Sequence, residues 1–206
     1  MQKSQTNPPM TFILDGFLGN HSRWARLQRL IDSTIGPCCI WHYDTSGRTS
    51  LENVGAALRT EMEKCDAPVN LVGYSMGGIV AREAARTTGR AINRAVFLHS
   101  PHNGSLLSYI FPRLAACREM RPGSDFLARL DAAAWNTPTL ATWCAWDAVV
   151  VPGISARWLR ASATLQSHVP AHAWPVFSPA IHAAVVGFLG GNEGGSVRLG
   201  RSKSGA

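Results

Sequence analysis

Val69-Asn-Leu-Val-Gly-Tyr-Ser-Met-Gly-Gly-Ile-Val-Ala-Arg-Glu-Ala84 is the stretch on which the fold turns. Its first six residues are apolar enough for a buried strand, and from Met76 the apolar spacing changes to that of a helix. Between them lies Gly73-Tyr-Ser-Met-Gly77, a G-x-S-x-G sequence. At such a junction the serine occupies a strained turn that lifts its hydroxyl clear of the backbone, and the glycines let strand and helix approach closely. An idle serine on a tight turn is the bland alternative. A phosphate-binding loop is a poorer one, because neither G-K-[ST] nor G-x-G-x-x-G with a later acid is present.

Working outward from Ser75, short apolar runs alternate with amphipathic segments, the pattern of a mostly parallel sheet with helices on both faces. Strands are expected at Thr11–Asp15, Cys38–Tyr43, Val69–Tyr74, Ala95–His99, Thr139–Trp146 and Thr164–Val169, which makes a minimal sheet of about six strands. Helices are expected at Ser22–Ser33, Ser50–Lys64, Met76–Thr88 and Ser178–Leu189. Thr49 and Glu52 form a capping-box signature, and Gly89 suits a left-handed helix end. Residues 103–136 are too long for one crossover and are read as a cap-like insertion of two helices, Leu106–Cys117 and Ser124–Trp135, split by Arg121-Pro-Gly123. The chain thus divides into an N-terminal extension (1–10), one domain (11–190) and a Gly/Ser-rich tail (191–206) expected to be disordered.

Composition bounds the partners. The chain has 206 residues, 46% hydrophobic and 16% charged, with net charge +7. Its arginines are spread along the chain without a basic and aromatic stripe, so nucleic acid is not an expected partner. Five cysteines, Cys38, Cys39, Cys65, Cys117 and Cys144, lack CxxC spacing and read as reduced packing residues. No stretch is long enough for an integral membrane segment, and Met1–Pro9 lacks an apolar signal core, so a cytoplasmic location is the default expectation. Oligomeric state is not readable.

A serine nucleophile on this kind of turn is followed in the chain by an acid and then a histidine, each after a sheet strand. Asp147 ends the run Thr139–Trp146 and is preferred to Asp131, which sits mid-helix in the insertion. Of the histidines after Asp147, His172 lies in a loop before the last helix and is the first choice. His168, at the end of a strand, is the second, and His182 falls on the final helix. In this triad His172 takes the Ser75 proton and returns it to the leaving group, while Asp147 fixes the imidazole tautomer. No metal or organic cofactor is required. The oxyanion donors are expected to be the backbone N–H groups of Met76 and of Phe17, the latter on the loop after the first strand.

These motifs together resemble the bacterial lipase and esterase branch of the α/β-hydrolases. Asp15-Gly-Phe-Leu-Gly19 stands where those proteins carry a His-Gly-hydrophobe-x-Gly loop. Gly73–Gly78, Ser100-Pro-His-Asn-Gly-Ser105, Arg121–Leu127, Asp147-Ala-Val-Val-Val-Pro152 and His172 ahead of Ser178-Pro179 follow in order, spanning about residues 11–190. The resemblance implies an α/β-hydrolase fold and a serine hydrolase acting on carboxylic esters through an acyl-serine intermediate. An acyltransferase or thioesterase would use the same triad, and a non-catalytic binding protein is the alternative from another class. The departure is Asp15 in place of histidine: its carboxylate would repel a developing oxyanion unless it bonds backbone donors and turns away. His102 is read as a structural hydrogen-bonder. A small-molecule ester with an apolar acyl group, medium or long, is the expected substrate, and Leu18, Tyr74, Leu106, Leu107, Ile110 and Val149 are the expected pocket.

Overall fold

The computed structural model describes residues 7–192. The expected disordered tail from Glu193 onward and the first six residues of the N-terminal extension lie outside the described residues. Six strands, β1 (Met10–Leu14), β2 (Cys38–Ile40), β3 (Val69–Tyr74), β4 (Ile92–Leu98), β5 (Thr139–Cys144) and β6 (Ala163–Ser167), form one sheet. Every pairing is parallel, in the order β2-β1-β3-β4-β5-β6. The helices are α1 (Ala25–Thr34), α2 (Leu51–Glu63), α3 (Met76–Thr87), α4 (Ala115–Glu119), α5 (Asp125–Ala132), α6 (Trp174–Phe177) and α7 (Pro179–Leu189).

The two-residue period of the strands builds two cores. Phe12, Leu14, Val69, Leu71, Ala95, Phe97 and Ala141 face α2, α3 and the α4–α5 segment. Ile13, Val72, Val96, Leu98 and Leu140 face α1 and α7 on the other side. Strands buried on both faces read as continuous apolar runs, which is why β3 is buried from end to end. This is the expected α/β-hydrolase fold. The chain steps outward from β1 to β2 and then returns to place β3 on the other side of β1. Such a reversal opens a crevice beyond the carboxyl ends of β1 and β3, where ligands bind in open α/β sheets.

Local details depart from expectation for identifiable reasons. Helix α2 is capped by Ser50, whose hydroxyl accepts the Asn53 N–H at 3.2 Å, because the Thr49 hydroxyl is engaged with Asp44 at 3.1 Å. Helix α3 ends at Thr88 in an extended conformation, and the Thr88 hydroxyl accepts the Arg90 N–H at 3.0 Å. No left-handed Gly89 is used. The expected helix Leu106–Cys117 is instead a 3-10 turn, Leu106–Ile110, followed after Pro112 by the five-residue α4. Proline lacks an N–H and pushes the preceding residue out of helical geometry. The second insertion helix starts as expected at its Ser124 cap but stops at Ala132. Strands β2, β5 and β6 are each shorter than read, so His168 lies just beyond β6 and is exposed. Among the described residues no helix is long and apolar enough to cross a membrane.

Candidate active site

Ser75 joins β3 to α3 with φ 52° and ψ −124°, a left-handed backbone fixed at one end by its N–H on the Leu98 carbonyl at 2.8 Å. The glycines around it are required by contact. A Cβ on Gly73 would overlap the backbone of Gly78, and one on Gly77 would lie 2.5 Å from the carbonyl oxygens of Leu14 and Asp15. One on Gly16 would lie 2.8 Å from Cβ of Ser75, which shows how tightly the loop after β1 is pressed against the serine.

The structure brings three of the sequence-selected side chains together. Nε2 of His172 lies 2.9 Å from Oγ of Ser75, and Nδ1 of His172 lies 2.8 Å from Oδ2 of Asp147. Asp147 follows β5, and the turn after it donates the Val149 and Val150 N–H groups to Oδ1 at 2.8 and 2.9 Å. His172 sits in the loop between β6 and α6, with the Tyr74 hydroxyl donating to its carbonyl at 3.1 Å. Burial alone would raise the Asp147 carboxyl. The hydrogen bonds from His172, His99 and the Val150 N–H outweigh it and hold the carboxyl below the usual carboxylate range.

Sequence reasoning missed His99. It directly follows β4, is fully buried, and places Nδ1 3.0 Å from the same Oδ2 of Asp147 that receives His172. Burial lowers its pKa against the raising pull of Asp147, so the ring is neutral at neutral pH. An ionised carboxylate can only accept, so in both rings the nitrogen that faces it, Nδ1, carries a proton. Nε2 of His172 is then free to accept the Ser75 O–H. The three ligand-capable atoms of His99, Asp147 and His172 all lie within 4.8 Å of one another. Donor atoms spanning a tetrahedral cation at about 2.0–2.1 Å would sit about 3.3 Å apart. The observed 2.8 and 3.0 Å separations match hydrogen bonds to a shared oxygen.

The other histidines are structural or exposed. His102 is buried with its ring stacked 5.0 Å from Trp158, and burial together with Arg82 lowers its pKa well below the ordinary value. His182 is buried on α7, with Nε2 2.9 Å from the Val176 carbonyl. Asp15 is neutralised where it stands. Its carboxylate accepts the Gly16 N–H at 2.7 Å and pairs with the Arg23 guanidinium, whose Nε lies at 3.0 Å. Leu18 donates its N–H to the Thr45 carbonyl at 2.9 Å. Phe17 N–H thus lies between two committed neighbours, and Met76, as the first residue of α3, has an N–H without an intrahelical acceptor.

A cleft of about 140 Å³ opens beside Ser75. Of the residues expected to form a pocket, Leu107, Ile110 and Val149 lie along this cleft, and Leu18, Leu106 and Tyr74 lie elsewhere. Leu18 and Leu106 project outward, and Tyr74 is buried behind His172, its ring centroid 5.1 Å from the imidazole. Phe17, Phe111 and Met120 complete the apolar wall. Cys117 also faces the cleft, but burial raises its pKa and keeps it a thiol.

The sequence profile of the "Alpha/beta hydrolase family" matches residues 16–198. Solved structures with the same fold include a monoacylglycerol lipase from Paleococcus ferrophilus, 15% identical with a TM-score of 0.67, the match covering 89% of this chain and 96% of that one. A hydrolase from Oleispira antarctica is 14% identical with a TM-score of 0.67, over 91% of this chain and 93% of that one. Aspergillus fumigatus lipase B is 13% identical with a TM-score of 0.68, over 92% of this chain but 55% of its own length. No curated protein sequence matches the chain.

Proposed function

The chain belongs to the alpha/beta hydrolase family, and from that premise we propose that it hydrolyses carboxylic esters through an acyl-Ser75 intermediate. The observation that carries this reading is the unbroken line from Oγ of Ser75 through both nitrogens of His172 to Oδ2 of Asp147, with steps of 2.9 and 2.8 Å. Ser75 attacks the ester carbonyl as its proton passes to Nε2 of His172, and Asp147 stabilises the imidazolium without itself taking the proton. The tetrahedral oxygen receives the Met76 and Phe17 N–H groups. Collapse expels the alcohol, which leaves with the proton from Nε2. Water, activated by the same nitrogen, then releases the acid.

The cleft supports an apolar acyl group of limited size. Its volume of about 140 Å³ is close to that of an engineered apolar cavity of about 150 Å³ that admits benzene. An acyl arm of about that bulk fits beside Ser75, which favours a shorter chain than the medium or long one expected from sequence. Pairing of Asp15 with Arg23 removes the feature that most favoured a non-catalytic binding protein.

The experiment is hydrolysis of p-nitrophenyl esters of increasing acyl length by wild type and by Ser75→Ala. Loss of about 10⁴-fold or more in kcat in the variant, with wild-type rates peaking at short acyl lengths, is the expected result. Equal rates in the two proteins would overturn the serine mechanism.

A further inference from the structure

We propose that His99 is a positioning residue of this site, a second imidazole that holds the Asp147 carboxylate in the orientation His172 needs. The inference rests on the serine-hydrolase reading above and concerns a residue that the Ser-Asp-His pattern does not include. Both imidazoles meet at one atom: Oδ2 of Asp147 receives Nδ1–H of His172 at 2.8 Å and Nδ1–H of His99 at 3.0 Å. Oδ1 receives the Val149 and Val150 N–H groups at 2.8 and 2.9 Å. The backbone pair fixes one oxygen. His99 is the group that fixes the other when His172 moves toward substrate or leaving group during the reaction.

His99 is itself held rigidly. Its N–H donates to the Thr142 carbonyl at 3.0 Å and lies 3.2 Å from the Thr142 hydroxyl. Its backbone is left-handed, φ 49°, a conformation that is unfavourable for most non-glycine residues. Nε2 is buried and has no hydrogen-bond partner among the described residues. A strained backbone and an unpaired ring nitrogen are both unfavourable, and the bond to Asp147 is the contact that offsets them. The same bond has a chemical consequence. By donating to Oδ2 it stabilises the ionised carboxylate, which opposes transfer of the Nδ1 proton from His172 to Asp147 while His172 carries charge.

Three variants separate donation from packing. His99→Gly and His99→Asn both accept the left-handed backbone, but only asparagine places an N–H donor near the position of Nδ1. His99→Leu fills the space without a donor and serves if the glycine variant does not fold. Each is read by kcat and KM on a p-nitrophenyl ester, and by the downfield proton resonance of the His172–Asp147 hydrogen bond. Gly or Leu is expected to lower kcat about 10–100-fold with KM nearly unchanged and to shift or broaden the resonance, while Asn recovers most of both. Wild-type kcat and resonance in a folded Gly or Leu variant would overturn the proposal. So would an Asn variant no better than Leu, which would assign His99 to packing. The resonance needs no turnover. Were wild type to hydrolyse none of the esters, the ester reading would fail alone, and the resonance series would still decide the role of His99.

Discussion

Asp15 has no exposed surface, and its charge is tolerable because Arg23 and the Gly16 N–H both meet it. Removing one partner of a buried pair leaves an uncompensated charge, a larger penalty than the pair was worth. Arg23→Met is therefore expected to destabilise the protein by about 3 kcal/mol, read as a lower urea midpoint at pH 7. Adding Asp15→Asn should regain more than half of that loss, because the stranded charge is gone. A single variant with a wild-type midpoint would show that Asp15 is stabilised by something other than Arg23. At this scale the sequence was informative where spacing is dictated by contact. Gly73 and Gly77 flank Ser75 because the backbones there touch, so Ser75 could be singled out directly. His99 was hidden because its partner lies 48 residues on, and nothing in the local pattern distinguishes a buried imidazole that bonds a carboxylate from one that packs. Leu18, Ser75 and His99 are the non-glycine residues with positive φ among those described; Ser75 and His99 directly follow β3 and β4, and Leu18 lies on the loop after β1. Backbone strain of this kind clusters at functional sites; at Ser75 the strand-to-helix motif announces it, whereas at Leu18 and His99 it is visible only in three dimensions.

The elbow formed by β3 and α3 positions Ser75 by contact between backbones, so its glycines are sensitive in proportion to what a side chain would strike. At Gly73 an added Cβ would lie 2.6 Å from N of Gly78 and 2.8 Å from C of Gly77, both backbone atoms that cannot swing aside. Gly73→Ala should cost about 1–3 kcal/mol and lower kcat more than it raises KM, since the helix start that carries the Met76 N–H must move. Gly89→Ala is the matched control. Nothing lies within 4 Å of a Cβ there, and φ is not positive, so the urea midpoint should hold or rise by the equivalent of about 0.5 kcal/mol. Equal midpoints for the two variants would remove the packing argument. The strands and main helices were legible because two-residue and 3.6-residue periods are imposed by burial. The insertion was not. Its apolar residues suggested a helix through Leu106–Cys117, but Pro112 divides it, and the surrounding backbone is tied to other elements: Leu106 N–H to the Val151 carbonyl at 2.7 Å and Ala116 N–H to the Gly47 carbonyl at 3.1 Å. Long-range bonds of that kind decide a segment's conformation without leaving a period in the sequence.

Across the whole molecule, buried histidines are expected to set the first response to acid. His99, His102 and His182 all have pKa values lowered in the fold, in each case chiefly by burial. In the unfolded chain they titrate near the ordinary value of about 6.5. Below that pH the unfolded state binds protons that the folded state refuses, so stability is fully present above about pH 6.5 and is lost as pH falls toward the folded values. Each such histidine adds at most about 1.4 kcal/mol per pH unit to the slope. Asp147 acts lower on the scale. Its carboxyl is held below the usual range, so its contribution is present above the unfolded value of about 3.9 and is lost only on further acidification. Urea midpoints measured from pH 7.5 to 4.5 should therefore begin to fall below pH 6.5, well before carboxylates protonate. His102→Phe should flatten that first decline, because the variant leaves one fewer imidazole to take up a proton on unfolding. A competing source of acid sensitivity is repulsion among the surface charges of a chain with net charge +7, and salt separates the two. Repulsion between exposed charges is screened within about 3 Å at 1 M salt, whereas refusal of protons by a buried ring is not. A decline that persists in 1 M salt and is flattened by His102→Phe assigns it to the buried histidines; one that vanishes in salt assigns it to the surface.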